Sequence, residues 1–79
     1  MHMPHKRVVY QRRDGSWANK GTNALRASSV HETQAGAIAA ARRMLKSCGG
    51  GKLTIRGRDN KIQGKYAIEA DVSRLRLER

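Results

Sequence analysis

Seventy-nine residues carry 17 Lys and Arg against 6 Asp and Glu, a formal charge of +11, with 38% of the chain apolar. A chain this short buries only about 60% of the surface its unfolded form exposes, which excludes a second domain and a deep enclosed active site. Its apolar residues fall in patterned blocks, which excludes a disordered chain, and no Gly-every-third-residue period marks a fibrous one.

The opening Met1-His2-Met3-Pro4-His5-Lys6-Arg7 has no apolar run behind it, so no signal peptide is expected. Residues 1–5 read as a flexible N-terminus ahead of one domain over 6–70. Arg7-Val8-Val9-Tyr10-Gln11 is β-prone and leads through Arg12-Arg13-Asp14-Gly15-Ser16 into Trp17-Ala18-Asn19-Lys20. Asp14-Gly15 signals a hairpin, because Gly accepts the positive φ of a tight turn. Two registers are open. A two-residue loop puts Trp17 on a face with Tyr10 and Val8, whereas a three-residue loop with a bulge aligns it with Val9 and Gln11. Gly21-Thr22-Asn23 reads as a turn, and Leu25 to Val30 as either a short third strand or extended chain.

Thr33 is the expected N-cap of a helix from Gln34 to about Cys48. At about 100° per residue, Ala37, Ile38, Ala41, Met44, Leu45 and Cys48 share an apolar arc, while Arg42, Arg43, Lys46 and Ser47 lie outside it. Alanines in that arc let the helix axis approach a sheet closely. Gly49-Gly50-Gly51 ends the helix. Lys52-Leu53-Thr54-Ile55-Arg56 alternates as a half-buried strand, with Leu53 and Ile55 facing the core. Gly57-Arg58-Asp59-Asn60 turns the chain, Asn60 taking a left-handed conformation. Residues 61 to 68 supply a further strand or an irregular return. The tail, 71–79, fits a basic arm, a strand or a short helix.

The expected fold class is α+β. An antiparallel sheet of three to five strands carries one amphipathic helix on one face, in the order β-β-(β)-α-β-β. The opposite sheet face then lacks a partner within the chain and must be polar or covered by dimerisation.

Several blocks carry a family resemblance. They are Val8-Val9, Asp14-Gly15-Ser16-Trp17-Ala18, Arg26 through Ala35, Ala37-Ile38, Ala40-Ala41-Arg42 and Leu53 through Asp59, ending near Ile62 and Tyr66. In their order and spacing the chain resembles a small uncharacterised bacterial family, DUF2188, over about residues 6 to 67. The family pattern usually has an acidic residue where this chain has Gly36, and Gly where it has Asn60. The resemblance implies a compact module and no particular mechanism.

The charge of +11 exceeds the magnitude of about 2–8 that suits a small soluble domain, and implies attraction to polyanions. Arg12, Arg13, Lys20, Arg42, Arg43, Lys46, Arg56, Arg58, Arg74 and Arg76 are the candidate contacts to phosphate, against the alternative of ordinary solvated charge. They form a site only if folding gathers them onto one face. Tyr66 is a possible stacking residue. Trp17 and Tyr10 weigh stacking against a place in the core, with the core preferred for both and more strongly for Trp17.

No catalytic residue is expected. Ser28, Ser29 and Ser47 have no identifiable base and orienter, and His31 and Glu32 are adjacent in extended chain and point apart. No metal or other cofactor is expected: His2 and His5 have suggestive spacing but belong to the expected flexible N-terminus, and Cys48 falls on the apolar helix face, whereas a structural site wants closely paired ligands. The glycines at 49–51 precede a strand, the reverse of a phosphate loop. One cysteine permits no internal disulfide, which suits a reducing, cytoplasmic setting, and no segment is long enough to span a membrane. The sequence thus points to a non-enzymatic accessory protein that binds DNA or RNA through phosphates with little sequence selectivity. The alternative is a protein-interaction or homodimerising module engaging an acidic partner, such as a small inhibitor or regulator of a nucleic-acid enzyme.

Overall fold

A computed structural model of the chain describes residues 5–70. The elements run β1 (His5–Gln11), β2 (Trp17–Gly21), β3 (Ala27–His31), α1 (Gln34–Ser47), β4 (Gly50–Arg56) and β5 (Ile62–Glu69). They form one five-stranded sheet in the order β3-β2-β1-β4-β5, with α1 across one face. The α+β class and the element order are those expected, and the open segment before the helix becomes strand β3. β1 begins at His5, one residue inside the expected N-terminal arm.

One pairing departs from the antiparallel expectation. β1 pairs with β4 in parallel, whereas β1–β2, β2–β3 and β4–β5 are antiparallel. Length explains it. The 14 residues of α1 rise about 21 Å, close to the roughly 23 Å of a seven-residue strand. The helix therefore returns the chain to the end at which β3 began, and β4 must run the same way as β3 and β1. Parallel strands need such a crossover.

The hairpin register is also settled. Gln11 pairs with Trp17 and Val9 with Asn19, so Trp17 shares a face with Val9. The Arg12 N–H donates to the Ser16 carbonyl at 2.7 Å and the Gly15 N–H to the Arg12 carbonyl at 3.0 Å. With Gly15 at φ 92°, this is the three-residue loop with a bulge.

Val9, Trp17, Leu53 and Ile55 from the sheet meet Ala37, Ala41 and Leu45 from the helix, and Ile38 and Ile68 flank them. Thr33 Oγ1 accepts from the Gly36 N–H at 3.0 Å, capping α1, and Gly49 at φ 99° closes its other end. Cys48 departs from the expected apolar arc: it is the C-cap residue and exposed, because the helical turn has ended there. Met44 is half-buried and Ala40 buried in its place.

Candidate functional site

In each strand the residues that alternate with the core point to the sheet face that α1 leaves uncovered. Opposite Leu53 and Ile55 stand Lys52, Thr54 and Arg56; opposite Val9 stand Lys6, Val8 and Tyr10. Register joins these into rows. Lys6 is the direct partner of Lys52, and Lys52 of Ala67. Lys20 pairs with Val8, Val8 with Thr54, and Thr54 with Lys65. Lys6, Lys52 and Lys65 thus surround Thr54, and with Thr22, Tyr66 and Ala67 they line a shallow hollow of about 430 Å³. Like charges directly opposite on neighbouring strands are unfavourable in the free protein, and their field focuses on whatever anion enters. Among the described residues, the acidic residue of this face is Glu69, at the end of β5 opposite Gly50.

Two further cations of this face brace turns. Lys20 Nζ donates to the Ala24 carbonyl at 2.9 Å and the Gly21 carbonyl at 3.2 Å. Arg56 donates to the Asn60 carbonyl at 2.9 Å. Their charge adds to the field of the face while their side chains stay tethered. The other half of the face is apolar: Tyr10 pairs with Ala18 and Ala18 with Val30. Ala18 is fully buried between them, and Val30 is 46% exposed.

Among the described residues, of the arginines and lysines singled out from sequence only Lys20 and Arg56 reach this face. Because β1 and β4 are parallel, the Arg12–Arg13 loop and the Arg58 turn share one end of the sheet, along with the start of α1. Acidic groups are interleaved there. Glu32, Asp59, Arg58, Trp17, Thr33, Gln34 and Gln63 line a hollow of about 560 Å³ at this end. Asp14 accepts from the Ser16 hydroxyl at 2.6 Å and from its N–H at 2.9 Å. Those bonds, with the nearby Arg12 adding a smaller part, hold its carboxyl below the usual aspartate range. Arg42, Arg43 and Lys46 are exposed on α1, on the other side of the molecule. Arg74 and Arg76, like the rest of the tail, lie outside the described residues.

Tyr66 alternates with Lys65, so its side chain turns toward the helix side of the edge strand β5 while the residue still borders the lysine hollow. Its ring lies along Gly64, where a methyl group would stand 2.7 Å from Tyr66 Oη. It borders a groove with Ile38, Arg42 and Ile68, and 53% of it is exposed. Lys6, Lys52 and Lys65 are absent from the candidates that arginine clustering in the sequence suggested. The signal was present in the alternation of Lys52-Leu53-Thr54-Ile55-Arg56, which already set Lys52 opposite the core.

A polar network runs beneath the helix. Arg7 donates to Asn19 Oδ1 at 2.8 Å and to Ser28 Oγ at 3.1 Å. Asn19 Nδ2 donates to Ser29 Oγ at 3.1 Å, and Ser29 Oγ meets His31 Nε2 at 2.8 Å. Ser29 does therefore have a histidine neighbour that sequence spacing alone did not identify, two residues on along the same face of β3. The hydroxyl is held by groups that also anchor β3, so the arrangement reads as a structural brace. Among the described residues, no group of three or more His, Cys, Asp or Glu gathers as metal ligands, and no helix is long and apolar enough to cross a membrane.

A family model described as "Uncharacterized protein conserved in bacteria (DUF2188)" matches residues 6–68. No curated protein and no solved structure matches the chain.

Proposed function

The chain belongs to the DUF2188 family of uncharacterised bacterial proteins, and we propose that it is a non-enzymatic basic accessory protein that binds nucleic acid through phosphates with little sequence selectivity. The observation that carries this reading is the gathering of Lys6, Lys52 and Lys65 around threonine hydroxyls on the uncovered sheet face. Lysines act on phosphate as point charges and do not read base edges, so such a face favours affinity over sequence preference. In this reading the protein works in the cytoplasm, where its exposed Cys48 stays reduced.

Fluorescence anisotropy with labelled DNA and RNA across a salt series tests the reading. Binding should weaken linearly on a log–log plot of affinity against salt. The pair Lys52→Gln and Lys65→Gln should flatten the slope by about 1.4 on single strands, about 0.7 for each phosphate no longer neutralised. The pair Arg42→Gln and Arg43→Gln on the helix should leave it unchanged. Absence of binding at about 50 mM salt, or affinity indifferent to salt, rejects the proposal.

A second reading draws on the apolar half of the same face, where Val8, Tyr10, Ala18 and Val30 adjoin. There the face pairs with a second copy or with an acidic protein, such as a nucleic-acid enzyme that it inhibits or regulates. Light scattering over a concentration series separates the self-association arm, since a strict monomer excludes the homodimer.

A further inference from the structure

We infer that the uncovered sheet face takes single-stranded rather than duplex nucleic acid, with Tyr10 as the platform for one base and the Lys6–Lys52–Lys65 hollow as the seat of the phosphates. The inference rests on the phosphate-binding reading above and names its ligand more narrowly. Tyr10 and Lys6 lie on the same strand, β1, four residues apart and on the same face. At about 3.3 Å per residue their Cα atoms are roughly 13 Å apart, a gap that an extended strand of a few nucleotides bridges.

The surroundings of Tyr10 suit stacking. Its register partner is the alanine Ala18, a short side chain fully buried between Tyr10 and Val30. Tyr10 itself is half-exposed. Arg56, next in sequence to the Val9 partner Ile55, adds a cation to this end of the face. A duplex keeps its bases paired and stacked within the helix and would offer this face phosphates alone, leaving Tyr10 without a role. An unpaired base presents its π-face, and aromatic stacking of this kind is tolerant of sequence. The combination of a lysine hollow and an aromatic platform on one open sheet complements a charged strand with accessible bases.

The test compares the full chain with a homothymidine or homouridine oligonucleotide of about 16 nucleotides, a duplex of equal length, and polyglutamate as a non-nucleic polyanion. The single strand should bind most tightly. Tyr10→Leu should weaken single-strand binding about tenfold with little effect on duplex binding, and Tyr10→Phe should retain it. Circular dichroism of each variant establishes folding, and the Tyr10→Phe arm keeps the test decisive if Tyr10→Leu fails to fold. Duplex or polyglutamate binding as tight as single-strand binding, or loss of single-strand affinity in Tyr10→Phe, overturns the inference while leaving salt-dependent polyanion binding intact. No binding to any of the three removes the phosphate-binding reading itself.

Discussion

Asn19 is the polar residue that β2 buries completely. Such a side chain is stable there only because its neighbours complete its bonds. Arg7 donates to its oxygen at 2.8 Å, and its nitrogen donates to Ser29 Oγ at 3.1 Å and faces Met44 Sδ at 3.3 Å. The sulfur is a weak acceptor, so the first two bonds dominate. One amide thus links β1, β2, β3 and the helix. Truncation by Asn19→Ala would leave the guanidinium of Arg7 short of a partner in a half-buried position. The expected cost is about 1–3 kcal/mol, read as a lower urea midpoint with an unchanged denaturant slope. A variant as stable as the parent would mean that water replaces the amide without penalty. In sequence Asn19 showed only as one residue of a strand. Its burial was invisible until the hairpin register put it beside Val9.

The two hairpins are closed by the same device. Arg13-Asp14-Gly15 and Arg58-Asp59-Asn60 each place the third residue at positive φ, 92° for Gly15 and 66° for Asn60. In each, the aspartate accepts from the N–H two residues on, at 2.9 Å for Ser16 and 3.1 Å for Lys61. Short polar side chains of this kind mimic a backbone turn and so stabilise it locally. That is why both turns were readable from sequence. The helix start was readable for a similar reason. Thr33 Oγ1 satisfies the Gly36 N–H, an orphan donor of the first turn. No acidic residue supports that turn, so the hydroxyl carries the cap alone. Thr33→Ala should therefore cost about 1 kcal/mol, visible in thermal unfolding, and Thr33→Ser should recover most of it. What no local signal announced was the direction of β4 relative to β1. It follows from matching helix length to strand length over the whole crossover, and it sets both Arg-Asp turns at one end of the sheet.

Across the whole molecule, the charge of +11 is divided among surfaces of different character. The loop end mixes arginines with Asp14, Glu32 and Asp59. The helix carries Arg42, Arg43 and Lys46 on its solvent side. The uncovered sheet face holds Lys6, Lys52 and Lys65 around one hollow, with Glu69 at its margin. A net charge this far from zero strains the compact state through self-repulsion. Raising ionic strength from about 0.01 M to about 0.15 M shortens the screening length from about 30 Å to about 8 Å. The melting temperature should rise across that range by roughly 4–8 °C, as expected for about 1 kcal/mol in a domain of this size. A fall instead would show that favourable ion pairs outweigh repulsion. Sulfate should raise it further than chloride at equal ionic strength if the lysine hollow binds anions in the native state.

The sequence by itself determined the elements and their order, because those depend on signals within a few residues: a hydroxyl at a helix cap, glycine at a helix end, Asp-Gly at a turn, Leu53 and Ile55 in alternation. It also announced an excess of cationic charge and an uncovered sheet face. Only the tertiary structure decided which cations share that face. Lys6, Lys52 and Lys65 are separated along the chain by as much as a helix and three strands, and they meet because β1 and β4 pair in parallel and β5 pairs with β4. Arginines that cluster in sequence, such as Arg12 with Arg13 or Arg42 with Arg43, are instead held on loop and helix surfaces apart from the hollow. Pairing between distant strands has no local signature, since its register comes from burying one shared apolar face.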